Sequence, residues 1–517
     1  VRRHVDVRLV PPALAAWMVT AAGIWWPVGR VVACGCLVLA ALGAPAGYGA
    51  RRFGWTPRLP AVGAGLVAIG VVGAGFGLAI ALRADAVGRH PITAAFGTAA
   101  PVTVTPTETA LSLGSGRLMF RATLQRLRDD EMSGRVVVFA RASDFGGLMV
   151  GQPVRFTARI SRPGRRDLTV AVLNATGRPT MGTAGAVQRA AHAVRRRFAA
   201  AAREALPADE AAMLPALVLG DTAAVASETS REFRAAGMTH LTAVSGANVT
   251  IVCAAVLFSA RLIGPRAAVV LAAVALVAFV IVVQPTASVL RAAVMGAIAL
   301  TGMLSSRRRQ AIPALSATVL IVLALAPHLA VDVGFALSVL ATAALVVIAP
   351  SWSRRLVGRG WPKPLADAFA VACAAHVVTA PLVAGISGRF SLVAAVANLA
   401  VAPVVAPITV LGSAAAVGCL LWPAGAQLLI RFSGPELWWV LRVAQWSADV
   451  PAATVPVPAG APGVVVVGAG TALAILAAAL LWRRRWFRGA LGLAGSAVVL
   501  SWLAWSISGL VAIASAA

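Results

Sequence analysis

Long apolar runs recur along this 517-residue chain and constrain its fold more than any other feature. About 20 apolar residues cross a hydrocarbon layer as one helix, because a helix satisfies its own backbone where no water can. Such runs fall at residues 12–29, 31–49 and 60–82, and again near 242–263, 267–284, 286–304, 311–330, 332–350 and 365–386. Hydrophobic residues make up 59% of the chain and charged residues 12%, and the mean hydropathy is +0.85. A soluble protein of this length would need far more charge to cover its cores. The pattern predicts a polytopic α-helical membrane protein of about 10–12 spans.

Charge placement orients these spans. Arg2, Arg3 and Arg8 precede the first run, and Arg51, Arg52 and Arg58 separate the second from the third. Basic loops stay on the cytoplasmic side, so the N-terminus is expected inside and the chain outside after residue 82. The basic start resembles a signal n-region, but further apolar runs follow directly, which predicts an uncleaved first helix. The net charge of +27 says less than it suggests, since Lys363 is the one lysine and arginine is abundant throughout, a bias that a GC-rich genome imposes.

Between residues 89 and 178 the character changes, with 13 arginines against 6 acidic residues and short alternating runs. Strands are predicted near 102–107, 117–125, 135–141, 154–161 and 168–174. In the fourth, Val154, Phe156, Ala158 and Ile160 face one way and Arg155, Thr157, Arg159 and Ser161 the other, the period of a half-buried strand. Five short strands with glycine-rich turns fit a small external OB-like β-barrel, a fold often used for single-stranded nucleic acid. Arg117, Arg121, Arg155 and Arg159 are the candidates for DNA contact there. With no Trp or Tyr, base stacking would fall to Phe96, Phe120, Phe139, Phe145 or Phe156.

An amphipathic helix follows. Val187, Ala191, Val194, Phe198, Ala201 and Ala205 share one face, with Arg189, Arg195, Arg196, Arg197 and Arg203 around the rest. Two readings stand: a helix lying among lipid headgroups, and a track for DNA phosphates. Domain boundaries are accordingly expected at 1–86 for the first membrane helices, 87–183 for the barrel, 184–232 for interfacial helices and 233–517 for a second membrane block. Basic loops at Arg261/Arg266, Arg307–Arg309, 354–363 and 483–488 punctuate that block. The run 391–421, broken by Pro403 and Pro407, fits two short helices, or one span paired with the Trp-rich segment 435–450.

Several chemistries are excluded by motif. A phosphate-cradling P-loop needs a lysine followed by Ser or Thr, whereas Lys363 lies between two prolines. HExxH and Cys-x-x-Cys are missing, six histidines are scattered, and all five cysteines lie in apolar segments, so neither metal, cofactor nor disulfide is expected. The chain is not expected to be an enzyme.

The positive signals are polar residues inside apolar runs. Residues 240–249 read His-Leu-Thr-Ala-Val-Ser-Gly-Ala-Asn-Val. Ser245 and Gly246 there suit a helix break whose following amides favour an anion, and Ser245 and Asn248 share a face. Arg291, in the run from Ser288, lies inside a span and must face a partner, a cavity or the interface, where it would snorkel. Asp332, ahead of Ser338, either pairs with an arginine or caps its helix. His376, Thr379 and Asn398 fit interhelical hydrogen bonds or contact with cargo.

His240–Val249, Ser288–Ala292, the Asp332-x-Gly-Phe-x-Leu-Ser338 segment, Asn398 leading to Pro403, and Leu217-Val-Leu-Gly-Asp221 together resemble motifs of the ComEC family of competence channels. The order of domains agrees over nearly the whole chain. The resemblance implies an inner-membrane channel carrying single-stranded DNA in transformation, with a DNA-binding receptor outside and a helicase or motor in the cytosol. His240, Ser245, Gly246, Asn248, Ser288, Arg291, Asp332, Ser338, His376 and Asn398 are its signature or conduit candidates. Val333 and Ala336 depart from the family pattern. Members often carry a metallo-β-lactamase-like domain, and a short form without it, hence without nuclease activity, is expected here. Rival readings are a transporter of a small or lipid-linked anion and a membrane scaffold whose barrel binds a partner.

Overall fold

The computed structural model describes residues 6–52, 58–284, 286–304 and 310–481. Arg2, Arg3, Arg307–Arg309, the basic run 483–488 and the last apolar run lie outside them. Helices α1 (Val10–Trp25), α2 (Gly29–Arg52) and α3 (Arg58–Gly88) pack side by side.

The next segment folds as strands β1 (Ala99–Pro106), β2 (Leu111–Gly114), β3 (Arg117–Leu127) and β4 (Asp130–Arg141), then the short α4 (Ala142–Phe145), β5 (Val154–Ser161) and β6 (Ala171–Met181). They pair in the order β1-β5-β6-β4-β3-β2, and β1 pairs again with β3, which closes a five-stranded barrel. All pairings are antiparallel except β4 with β6. β5 alternates as its sequence requires, with Val154, Phe156, Ala158 and Ile160 buried. The short β2 shows no such pattern, since all its residues are exposed. Phe120, Phe145 and Phe156 meet ring to ring in the barrel core, so these three are packing residues and no platform for bases.

The barrel rests on helix ends. Thr109 Oγ1 donates to Gln284 Oε1 at 2.6 Å, and the Arg166 guanidinium donates to the carbonyl of Trp25 at the end of α1. Leu168 packs on an apolar cluster that includes Ile80, Leu315, Val319, Leu329 and Phe335.

Beyond the barrel come α5 (Ala186–Ala205), α6 (Ala208–Leu219), α7 (Ser227–Ala235), α8 (Thr239–Thr242), α9 (Gly246–Ala260), α10 (Pro265–Val283), α11 (Ala287–Leu304) and α12 (Ala311–Leu325). Then follow α13 (Val333–Val347), α14 (Ala349–Val357), α15 (Lys363–Ser387), β7 (Arg389–Ser391), α16 (Ala394–Leu421), α17 (Pro423–Phe432), α18 (Gly434–Asp449), β8 (Thr454–Pro456) and α19 (Ala461–Leu481). Among the described residues five helices are long and apolar enough to cross a membrane, α10, α15 and α16 among them. Others, such as α9 and α12, are apolar but shorter, at 10–17 residues. The run expected at 311–330 stops at Leu325 because Ala326 precedes Pro327, and a residue before proline is pushed out of helical conformation. The run 391–421 is one helix, α16, that continues through Pro403 and Pro407.

Val194, Phe198 and Ala202 of α5 enter the same core as Met213, Leu214 and Val218 of α6 and Ala415, Ala416 and Cys419 of α16. The apolar face of the amphipathic helix is therefore spent on protein from Val194 on, whereas Val187, expected on the same face, is exposed. A second compact unit comprises Thr379–Phe390 and, among the described residues, Val455–Leu481. Its own core holds Ala380, Ala384 and Val467, and the amides of Val457 and Gly460 donate to Gly388 and Gly385.

Candidate functional site

The break before α9 falls where the sequence places it. Ser245 has extended backbone, and α9 begins at Gly246. Ser245 Oγ donates to Asn248 Oδ1 at 3.2 Å, and Asn248 Nδ2 donates to the carbonyl of Leu217 at 2.9 Å. That carbonyl lies in the last turn of α6, where helical partners run out. Asn248 is 5% exposed, so the bond replaces water that cannot reach it. Beside it lies a cavity of about 10 Å³ among Leu217, Leu241, Ile408, Thr409 and Val440, the room of roughly one water molecule.

Three predicted residues converge between α11 and α13. Arg291 Nε donates to Ser338 Oγ at 2.6 Å, Ser288 and Ser338 hydroxyls lie 3.4 Å apart, and Arg291 Nη1 lies 3.2 Å from Met295 Sδ. Arg291 is 6% exposed and forms no ion pair with any described residue. It does not snorkel. A Cβ at position 246 would stand 2.6 Å from Arg291 Nη2, so Gly246 lets the guanidinium lie against the start of α9. The Ser-Gly pair and the Ser-x-x-Arg run thus form one site, built by α9, α11 and α13.

Asp332 takes the second of its two expected roles. Its Oδ1 accepts from the Phe335 amide at 2.8 Å and caps α13; it forms no ion pair with Arg291. Asn398 Nδ2 donates to its own helix at Ala394, 2.8 Å, and toward the Gly237 carbonyl at 3.4 Å. His240 is exposed on α8, and His376 lies on α15.

The barrel arginines divide. Arg121 is bound to Glu108 through both carboxylate oxygens, at 3.2 and 2.9 Å, which removes it as a free phosphate ligand. Arg117 lies over the Phe139 ring at 5.9 Å. Arg155 and Arg159 stand exposed on the outer face of β5.

One residue of consequence was expected on the polar side of its helix and is not there. Arg195 is 6% exposed; its Nη1 donates to the carbonyls of Leu219 at 2.8 Å and Val282 at 3.3 Å, and its Nη2 lies 3.6 Å from Asp221. It closes the ends of α6 and α10 at once. Burial is the main force lowering its proton affinity, and Asp221 opposes that. The signal was present: Ala191, Arg195, Phe198 and Ala202 follow the 4, 3, 4 spacing of one buried face.

Apolar helices of membrane-spanning length, a small closed barrel, and a buried arginine with no ion-pair partner among the described residues define the class. A family model described as competence protein matches residues 217–485, from the carbonyl that Asn248 grips to beyond α19, and the chain belongs to that family. No curated protein and no solved structure matches the chain.

Proposed function

We propose that the chain is an inner-membrane channel for single-stranded DNA in natural transformation, without nuclease or ATPase activity of its own. Membership of the competence family supports a role in DNA uptake. The observation that carries the finer reading is Arg291. A cation among apolar helices is costly without a counter-charge, and among the described residues Arg291 has only a hydroxyl and a thioether as hydrogen-bond partners. A phosphate arriving there would meet this guanidinium together with the free amides at the start of α9.

The cavity at Asn248, of about 10 Å³, is too small to admit a strand. Passage therefore requires helices to part. α16 is suited to bend, because Pro403 and Pro407 each remove a helical hydrogen bond. In this reading the barrel is of OB type, lies outside the cell, and meets DNA through Arg155 and Arg159. A receptor delivers the strand to it, and a cytosolic helicase or motor supplies the pull.

The test is uptake of fluorescent DNA by cells lacking the gene and complemented in turn. The native protein should restore uptake, and Arg291→Ala should not, while reaching the membrane in equal amount. A complemented strain that takes up no DNA would overturn the channel reading.

A further inference from the structure

None of the residues lining the groove on α5 belongs to the cluster around Arg291. The groove holds about 590 Å³ and is lined by His192, Arg195, Arg196, Arg197, Arg203 and Asp221, together with small alanines. Asp221 is matched by Arg195, so the exposed Arg196, Arg197 and Arg203 keep their charge for a ligand. Arg196 and Arg203 are two turns apart, about 10 Å along the helix, enough to reach beyond a single phosphate.

Two anionic surfaces would suit such a stripe: a lipid headgroup layer and a nucleic-acid strand. A helix that lies in the headgroup layer does so by burying its apolar face there. In α5 that face is already taken, with Phe198 and Ala202 fully buried against α6 and α16. What remains outward is mainly charge, with Val187 the one exposed large apolar side chain of α5.

Position favours the strand as well. α5 leaves directly from the barrel, where Gln152 Nε2 donates to the Gly182 carbonyl at 2.9 Å. Its middle holds Leu219 through Arg195, two residues from the Leu217 carbonyl that binds Asn248. The groove's residues thus follow the barrel along the chain, and one of them, Arg195, binds the helix end that also holds Asn248. We infer that the groove binds the phosphates of a single-stranded DNA backbone and passes the strand from the barrel toward α9, an inference that rests on the DNA-uptake reading. His192 adds little charge of its own, since burial, then Arg196 and Arg195, lower its proton affinity.

Binding of a fluorescent oligothymidylate to the purified full chain, read by anisotropy over a series of salt concentrations, tests this. Each phosphate contact to a single strand adds about 0.7 to the slope of log affinity against log salt. The triple variant Arg196→Gln, Arg197→Gln, Arg203→Gln should flatten the slope by about 2, with unchanged thermal stability because all three are exposed. The triple Lys variant should keep the native slope. A native slope in the Gln variant would overturn the inference while leaving DNA binding intact. So would a Gln variant that loses binding only to phosphatidylglycerol vesicles, which would assign the groove to headgroups. A native protein that binds no oligonucleotide would instead remove the DNA-uptake reading, and the inference with it.

Discussion

Arg195 and Asn248 hold the same helix end from two sides. Arg195 donates to the carbonyl of Leu219 and Asn248 to that of Leu217, both in the final turn of α6. Last-turn carbonyls lack helical donors, and here each finds a buried side chain from another helix. The two residues thereby tie the arginine-rich α5 and the signature helix α9 to one rigid point.

Removing Arg195 should therefore cost stability. Arg195→Gln strands the carbonyls of Leu219 and Val282 and leaves Asp221 unmatched. A loss of roughly 1–3 kcal/mol is expected for buried groups deprived of partners. Thermal unfolding in detergent measures it, and Arg196→Gln, on the exposed side, should leave the midpoint where it is.

Gly237 should tolerate no side chain. Its φ is +67°, and an added Cβ would stand 2.5 Å from the Cβ of Ala394, a side chain with nothing to swing away. Gly237→Ala is expected to cost about 1–3 kcal/mol through backbone strain alone, with the clash added. Folded yield and melting temperature after purification report it.

The junction between barrel and helices should weaken in acid. His328 lies on the turn Pro327–Val331, outside both adjoining helices. Burial, with Arg135 and Arg121 nearby, pushes its pKa down from 6.5 to about 3. The unfolded chain then binds a proton that the folded one refuses, so this contribution is complete above pH 6.5 and is lost as pH falls toward about 3. His328→Gln cannot take up that proton, so the stability difference between native and variant protein should shift against the native protein across that window. A difference independent of pH would contradict the assignment.

Topology is open to direct labelling. With the native cysteines replaced, a cysteine at position 359 should react only from the cytoplasmic side, and one at position 155 only from outside. Labelling at 359 by an impermeant reagent on intact cells would invert the orientation.

The sequence by itself determined the apolar spans, the barrel and the break before α9, because each depends on local rules. Period-2 alternation sets β5, and an apolar run beside Ser245-Gly246 sets the start of α9. It placed Ser288, Arg291 and Ser338 in one signature without saying that they touch. Only the tertiary structure decided the partners. Asp332 had two acceptable roles, and the Phe335 amide took it. Arg291 was free to snorkel, and α9 and α13 closed over it. The amphipathic α5 had the pattern of a headgroup helix, since periodicity shows that a face is apolar and not what covers it. Packing against α6 and α16 covered it with protein and turned Arg195 inward. Hydrogen bonds between residues far apart in the chain rest on three-dimensional proximity, which no local period encodes.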